Sequence, residues 1–405
     1  MRLHNSSTLS SKPFTGKAIR KAIVTGLWIL FFLVVFDVLI NFLFPYPSNP
    51  RVTSPGQLKV YFEYGRSVEG KLSRMVGPTD ESSSPLAVVG WLDPKLWKNL
   101  KLPTRAPGDN LLVAIYGMSF SNQVGEAMKA INSKITLREI AGPAGPPNYS
   151  FAAYTLDRGK HQADVVILGL LASSVKALRT MNGMTWQFEG PAPYTYPRYF
   201  LEDGKLKATW PKILSLAQLR AALQHQQQWD AFVNQLQEHD QFFNSFLFKR
   251  NLLDNSVIVR LVRRAWAQRH QMMMTNQIHS SAGFNTELEI PVLRAIVADF
   301  AATARGDGKI PIVLVFNDQG YDDHLFQALK PTLENASIPY VSTHNIAPAT
   351  DIKNFVADGH FVESANKLIA AAVLKLLDKN FERKSHSASF LKNEQVSEPK
   401  TGGQL

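Results

Sequence analysis

The longest apolar run lies near the start of the chain. Residues 22–44 read AIVTGLWILFFLVVFDVLINFLF. As a helix rising 1.5 Å per residue they reach about 34 Å, enough for a bilayer core of roughly 30 Å. A cleaved signal peptide has a shorter apolar stretch that ends in small residues, whereas this run leaves through Phe42, Leu43, Phe44, Pro45, Tyr46 and Pro47, so the pattern predicts an uncleaved anchor. Further along, short apolar runs alternate with helical periodicity. Strands are predicted at 111–116 (LLVAIY), 135–140, 164–168 (DVVIL) and 310–316 (IPIVLVF), with a helix at 122–131 and a closing helix at 362–377. That rhythm predicts an α/β body built on a parallel sheet covered by helices. Residues 183–290 break it: 186–210 is aromatic and proline-rich, and 214–248 is rich in Gln, Leu and Ala at helical spacing, so a mainly helical insertion is expected. Residues 45–107, with PYPSNP and GPTDESSSP, read as a stalk or domain edge, and the polar tail 380–405 as disordered. The body is thereby bounded at 108–379.

Composition narrows the chemistry. The 405 residues are 45% hydrophobic and include no cysteine, which excludes disulfides, thiolate metal sites and cysteine nucleophiles. The net charge of +11 is unevenly spread. Residues 1–21 hold Arg2, Lys12, Lys17, Arg20 and Lys21 and no acid, and the tail from 380 adds a net +1, leaving +5 for residues 22–379. A remainder that mild and scattered argues against a nucleic-acid partner. The five N-terminal cations place that end in the cytoplasm and the body on the outer side of the membrane. Asp37 and Asn41 lie inside the span; Asp37 reads as an acid that snorkels or is neutralised near the outer end, with a partner helix or a proton path as the alternative. Lys249, Arg250, Arg260, Arg263, Arg264 and Arg269 oppose only Asp254. They read as a solvated helix face, with anionic lipid or an anionic polymer as the alternative.

Open parallel sheets bind ligands at the carboxyl ends of their strands. After the first strand come Gly117, Met118 and Ser119, a serine at a strand-to-helix turn, where backbone N–H groups favour developing negative charge. Its plain alternative is a helix cap. Before the closing helix stand Asp358 and His360, two residues apart. A serine hydroxyl needs an imidazole base to attack, and the imidazole needs a carboxylate to hold its tautomer. Their plain alternatives are a cap and a surface histidine. Residues 317–324 offer three carboxylates and His324, a metal-like composition without metal-ligand spacing; Asp322 or Asp323 reads as a cap there. Ser121, Asp157 and His161 form no recognised spacing.

Together, Gly117-Met-Ser119 near the start of the body and Asp358-Gly-His360 before its last helix resemble the SGNH (GDSL-type) hydrolase and acyltransferase superfamily, in a membrane-anchored bacterial form. The resemblance implies a three-layer, flavodoxin-like domain over 108–379 with the insertion at 183–290. It further implies Ser119 as nucleophile, His360 as base, Asp358 as its orienting group, and an oxyanion-hole N–H from Gly145 in GPAGPPN. Two departures stand out. Met118 replaces the usual Asp of the first block, and the third block, Gly169-Leu-Leu-Ala-Ser-Ser, lacks its Asn. Ser173 or Ser174 are the substitutes at hand, with Asn148 or Asn122 reaching in from neighbouring loops. No metal and no cofactor is implied. The expected function is a serine esterase or O-acetyltransferase acting on acyl esters of a cell-envelope or exported polysaccharide, on the outer face of the bacterial inner membrane. Trp186, Tyr194, Tyr196, Tyr199 and Trp210 are candidates for sugar stacking, with ordinary packing as the alternative. A non-catalytic scaffold among envelope or polysaccharide-assembly proteins is the competing reading, and a lipid-directed esterase a third.

Overall fold

The computed structural model describes residues 16–45, 61–76, 90–97, 104–109, 111–190 and 192–396, with side chains as far as 381. Arg2, Lys12 and the end of the tail from 397 lie outside the described residues. The strands in chain order are β1 (Leu111–Gly117), β2 (Ile135–Ala141), β3 (Val165–Leu171), β4 (Arg198–Glu202), β5 (Lys205–Thr209), β6 (His279–Ser280), β7 (Gly283–Phe284), β8 (Ile310–Phe316) and β9 (Tyr340–Ser342). Five of them form one parallel sheet in the order β2-β1-β3-β8-β9. Counted by occurrence this is 2-1-3-4-5, a doubly wound order that reverses between β1 and β3. β9 escapes the sequence pattern because three residues are too few to show a period of two.

The sheet is covered on both faces, as the unbroken apolar strands require. Alternation along β1 sends Leu112, Ala114 and Tyr116 to one side, where Ala152, Phe300 and Leu329 pack, and Val113 and Ile115 to the other, where Val124, Met128, Ile369 and Val373 pack. The first side is covered by α4 (Pro147–Asp157), α8 (Glu289–Gly306) and α9 (His324–Asn335), the second by α3 (Ser119–Ile131) and α10 (Glu363–Val396). β3 runs past Gly169, where it was expected to end, because β8 continues the ladder to Leu171↔Phe316. α10 likewise extends into the polar tail expected to be disordered; residues 380–396 contain no Pro or Gly to stop it.

The insertion holds α5 (Leu216–Gln224), α6 (Gln226–His239) and α7 (Val257–Ile278), but also the β4–β5 hairpin. Its turn residues Asp203 and Gly204 have φ of 50° and 72°, the positive values a two-residue hairpin needs. A third apolar cluster joins Trp229, Phe232, Met184 and Phe188 to Val68, Leu72 and Trp91. Parts of the expected stalk, including α2 (Val68–Val76), are therefore packed into the body.

Three arginines of α7 correct the solvated-face reading, while Lys249, Arg250 and Arg269 are exposed as expected. Arg263 is fully buried in an ion pair with Asp254 at 2.8 Å, Arg260 meets Glu63 at 2.7 Å, and Arg264 meets Glu189 at 2.6 Å. Asp254 also accepts from Ser67 Oγ, so these pairs fasten residues 61–76 to the insertion. Upstream, α1 (Gly16–Leu43) is long and apolar enough to cross a membrane. Asp37 does not reach for the interface alone: its Oδ1 accepts from Ser256 Oγ at 2.9 Å and from the Ile258 N–H at 3.1 Å. Asn41 donates to the Asn255 carbonyl at 3.1 Å. The acid within the apolar run thus caps the start of α7, where unpaired N–H groups and the helix dipole favour a negative charge.

A second buried network lies under β1. Arg138 holds Asp157 through two 2.7 Å bonds, and Tyr116 donates to Asp157 at 2.9 Å. His161 Nδ1 accepts from the Ala163 N–H, so Nε2 carries the proton and donates to Tyr116 Oη at 2.8 Å. Asp157 and His161 are structural here. Burial pushes the His161 imidazole down to about 4, and Asp157 opposes this only in part.

Two outcomes are expected. Removing Asp254 leaves Arg263 as an uncompensated buried charge, so Asp254→Ala should lower stability by about 3–5 kcal/mol in denaturant unfolding. For His161 the folded value lies below the ordinary one, so the unfolded chain takes up a proton that the folded chain refuses between about pH 6.5 and 4. Stability should fall across that window by roughly 3 kcal/mol as pH drops. His161→Gln should flatten this limb by about one proton in unfolding curves measured against pH.

Candidate functional site

β1 ends at Gly117 and α3 begins at Ser119, with Met118 as its N-cap and no side-chain cap bond. Ser119 is therefore the first helical residue and not the cap, which leaves its hydroxyl free to face outward. Gly117 is required at this bend because a Cβ there would lie 2.1 Å from Ser121 Oγ. On the far side of the carboxyl edge, a tight turn closed by the Gly359 N–H to Val356 O bond (2.9 Å) presents Asp358 and His360. Gly359 has φ 87°, a left-handed value that suits glycine.

The two segments meet. Ser119 Oγ lies 2.6 Å from His360 Nε2. His360 Nδ1 stands 3.0 Å from Asp358 Oδ1, close enough for charge pairing but out of line for a hydrogen bond. The same Oδ1 accepts from the backbone N–H of His360 at 3.1 Å. That N–H bond and the neighbouring imidazole hold the Asp358 carboxyl below the usual carboxylate range. Asp358 is 69% exposed, against 25% for His360, so solvent shares the task of balancing the imidazole.

Phe120 stacks on the His360 ring with centroids 4.8 Å apart and meets Phe361 edge-on at 5.4 Å. Sequence reasoning missed this support. Its signal is an aromatic residue directly following each of Ser119 and His360.

Four of the expected oxyanion donors, Gly145, Asn148, Ser173 and Ser174, are engaged elsewhere. The Gly145 N–H bonds to Gly142 O at 2.9 Å within its own turn. Gly145 instead serves packing, because a Cβ there would lie 2.8 Å from the Tyr149 ring. Asn148 is fully buried and donates to the carbonyls of Ala177, Thr180 and Pro197 at 3.1–3.3 Å. Ser173 does reach the site, but its hydroxyl donates to Asp318, and Ser174 donates to Leu171 O. What the site offers is the start of α3, whose first N–H groups, at Ser119 and Phe120, have no intrahelical partner.

A cleft of about 270 Å³ opens over Ser119 and His360, walled by Ala144, Leu171, Ser173, Trp186 and Asp318. A neighbouring hollow of about 400 Å³ shares Ser173, Trp186 and Gln187 with it and adds Lys176 and Gln268. Of the aromatics considered for sugar stacking, Trp186 lines this groove. Tyr194, Tyr196 and Tyr199 are core residues, and Trp210 is partly exposed outside it. Among the described residues no group of three or more His, Asp or Glu is placed to hold a metal ion. The metal-like loop after β8 is divided: Asp318 faces Ser173, while His324 Nδ1 lies 2.8 Å from His279 Nε2.

Compared with known proteins, the chain matches no family model, no curated protein and no solved structure.

Loss of one oxyanion donor typically lowers kcat by about 10²–10³. Because Ser173 donates to Asp318, Ser173→Ala should lower any turnover of a chromogenic acetate ester by clearly less than that, measured as kcat.

Proposed function

We propose that this chain is a membrane-anchored, extracytoplasmic serine esterase or O-acetyltransferase of SGNH-like type, acting on acyl esters of a cell-envelope or exported polysaccharide. The observation that carries the reading is the 2.6 Å approach of Ser119 Oγ to His360 Nε2 at the carboxyl edge of the sheet, with Asp358 3.0 Å behind. Ser119 Oγ attacks the acyl carbonyl carbon while His360 Nε2 takes the hydroxyl proton. Asp358 offsets the imidazolium charge. The start of α3 supports the oxyanion with backbone N–H groups and its dipole. The tetrahedral centre collapses, His360 returns the proton to the departing alcohol, and the acyl group stays on Ser119. Water then completes hydrolysis, or a sugar hydroxyl completes transfer, each giving its proton to His360 as it attacks, and His360 passes that proton to Ser119 Oγ as the acyl–oxygen bond breaks. An apolar span preceded by cations supports the outward placement of the body.

The second reading is a non-catalytic scaffold in an envelope or polysaccharide-export assembly. It is favoured by the engagement of Gly145, Asn148 and Ser173 in other bonds.

Turnover of p-nitrophenyl acetate by the detergent-solubilised full chain separates the two. Ser119→Ala and His360→Ala should each lower kcat by at least about three orders of magnitude. Asp358→Asn should lose less than either, because an exposed carboxylate is partly replaced by water. Equal rates for wild type and Ser119→Ala, together with unchanged envelope polysaccharide in cells carrying the variant, would decide for the scaffold.

A further inference from the structure

We propose that residues 249–255 form a second membrane contact, seated in the headgroup and upper acyl layer of the leaflet from which α1 emerges. The inference rests on reading α1 as a bilayer span and is independent of the ester chemistry.

The depth follows from three hydrogen bonds. Asn41 lies about 4.5 Å below the outer end of the apolar run at 44, and Asp37 about 10 Å below it. Asn255 bonds to Asn41 at 3.1 Å, and Ser256 and Ile258 bond to Asp37 at 2.9 and 3.1 Å. A run of about 34 Å overhangs a 30 Å core by only about 2 Å at each end. The segment leading into α7 is therefore held at or just below the hydrocarbon boundary by the span itself.

What that segment presents matches such a place. Leu252 is 92% exposed and Leu253 56% exposed, two large apolar side chains next to Asn255. Lys249 and Arg250, just upstream, are exposed as well. Leucines flanked by cations are the composition of an interfacial anchor: the apolar chains enter the acyl boundary and the cations remain among headgroup phosphates. The nearby acids do not oppose this. Asp254 is buried against Arg263, Glu63 is bound by Arg66, Arg74 and Arg260, Glu69 accepts from the Arg250 backbone N–H at 2.8 Å, and Asp37 caps α7. The exposed apolar stripe continues along α7 through Val262 and Trp266, and tryptophan favours the membrane interface. Exposed leucines on an otherwise well-packed body have a physical reason if lipid covers them.

The chain has no cysteine, so single-cysteine labelling is clean. Full-length Leu252→Cys, Phe32→Cys (within the span) and Leu368→Cys (exposed on α10, across the sheet) would each carry an NBD fluorophore in phosphatidylethanolamine–phosphatidylglycerol vesicles. Quenching would be read with spin-labelled lipid and with aqueous iodide. At position 252 the expected result is strong lipid quenching and a several-fold smaller iodide constant than at 368. Iodide quenching at 252 equal to that at 368, without lipid quenching, would overturn the seat while position 32 still reports the span. Shielding at 252 from both quenchers would overturn it in favour of a protein partner. Absence of lipid quenching at 32 would overturn the span, and the seat with it.

Discussion

A parallel sheet buried on both faces leaves its strand ends as the places where irregular backbone can meet solvent, and the rest of this molecule follows from that constraint. Ser119 and His360 are 241 residues apart in the chain. They meet because β1 lies between β2 and β3, so its carboxyl end opens at the point where the strand order reverses. The helices that follow the Ser119 turn and the Asp358–His360 loop pack side by side on one face of the sheet. Their mutual packing sets the distance from hydroxyl to imidazole, and Phe120, itself met edge-on by Phe361, stacks on the ring.

Charge is organised differently from what its distribution along the chain suggests. Three arginines of α7, Arg260, Arg263 and Arg264, are internal fasteners, joined to Glu63, Asp254 and Glu189, which come from three separate segments. Such pairs repay the removal of their charges from water only when each partner is close and well bonded. A consequence is that residues 61–76, composed like a spacer, belong to the body. The same region receives Asp37 and Asn41, so the apolar helix and the body are joined by side-chain bonds as well as by the connecting chain.

The chemistry of the groove is defined as much by engaged donors as by free ones. Asn148 closes three carbonyls at the base of the insertion, and Ser173 is turned toward Asp318. The donors left free toward the groove are backbone N–H groups at the start of α3, a source that depends on helix geometry and not on side-chain identity. Trp186, buried in the wall common to both hollows, gives the groove a flat apolar surface beside Ser119.

Much was legible before any coordinates. The apolar run that forms α1, four of the five sheet strands, the closing helix, and Ser119 with Asp358 and His360 were all readable, because period, length and turn chemistry are local properties. The β4–β5 hairpin carried a legible signal, Asp203-Gly204, that the surrounding aromatic and proline-rich composition obscured. Other features had no local signal. β9 is too short to show a period; Gly145 and Asn148 differ from usable donors only by the partners that folding brings to them. Arg260 and Arg264 look solvated until Glu63 and Glu189 arrive from other segments. Sequence by itself determined which residue types stand where each strand ends. Tertiary structure alone decided which of them meet, because a hydrogen bond or a buried ion pair depends on the approach of groups far apart in the chain, and only the packed sheet sets those distances.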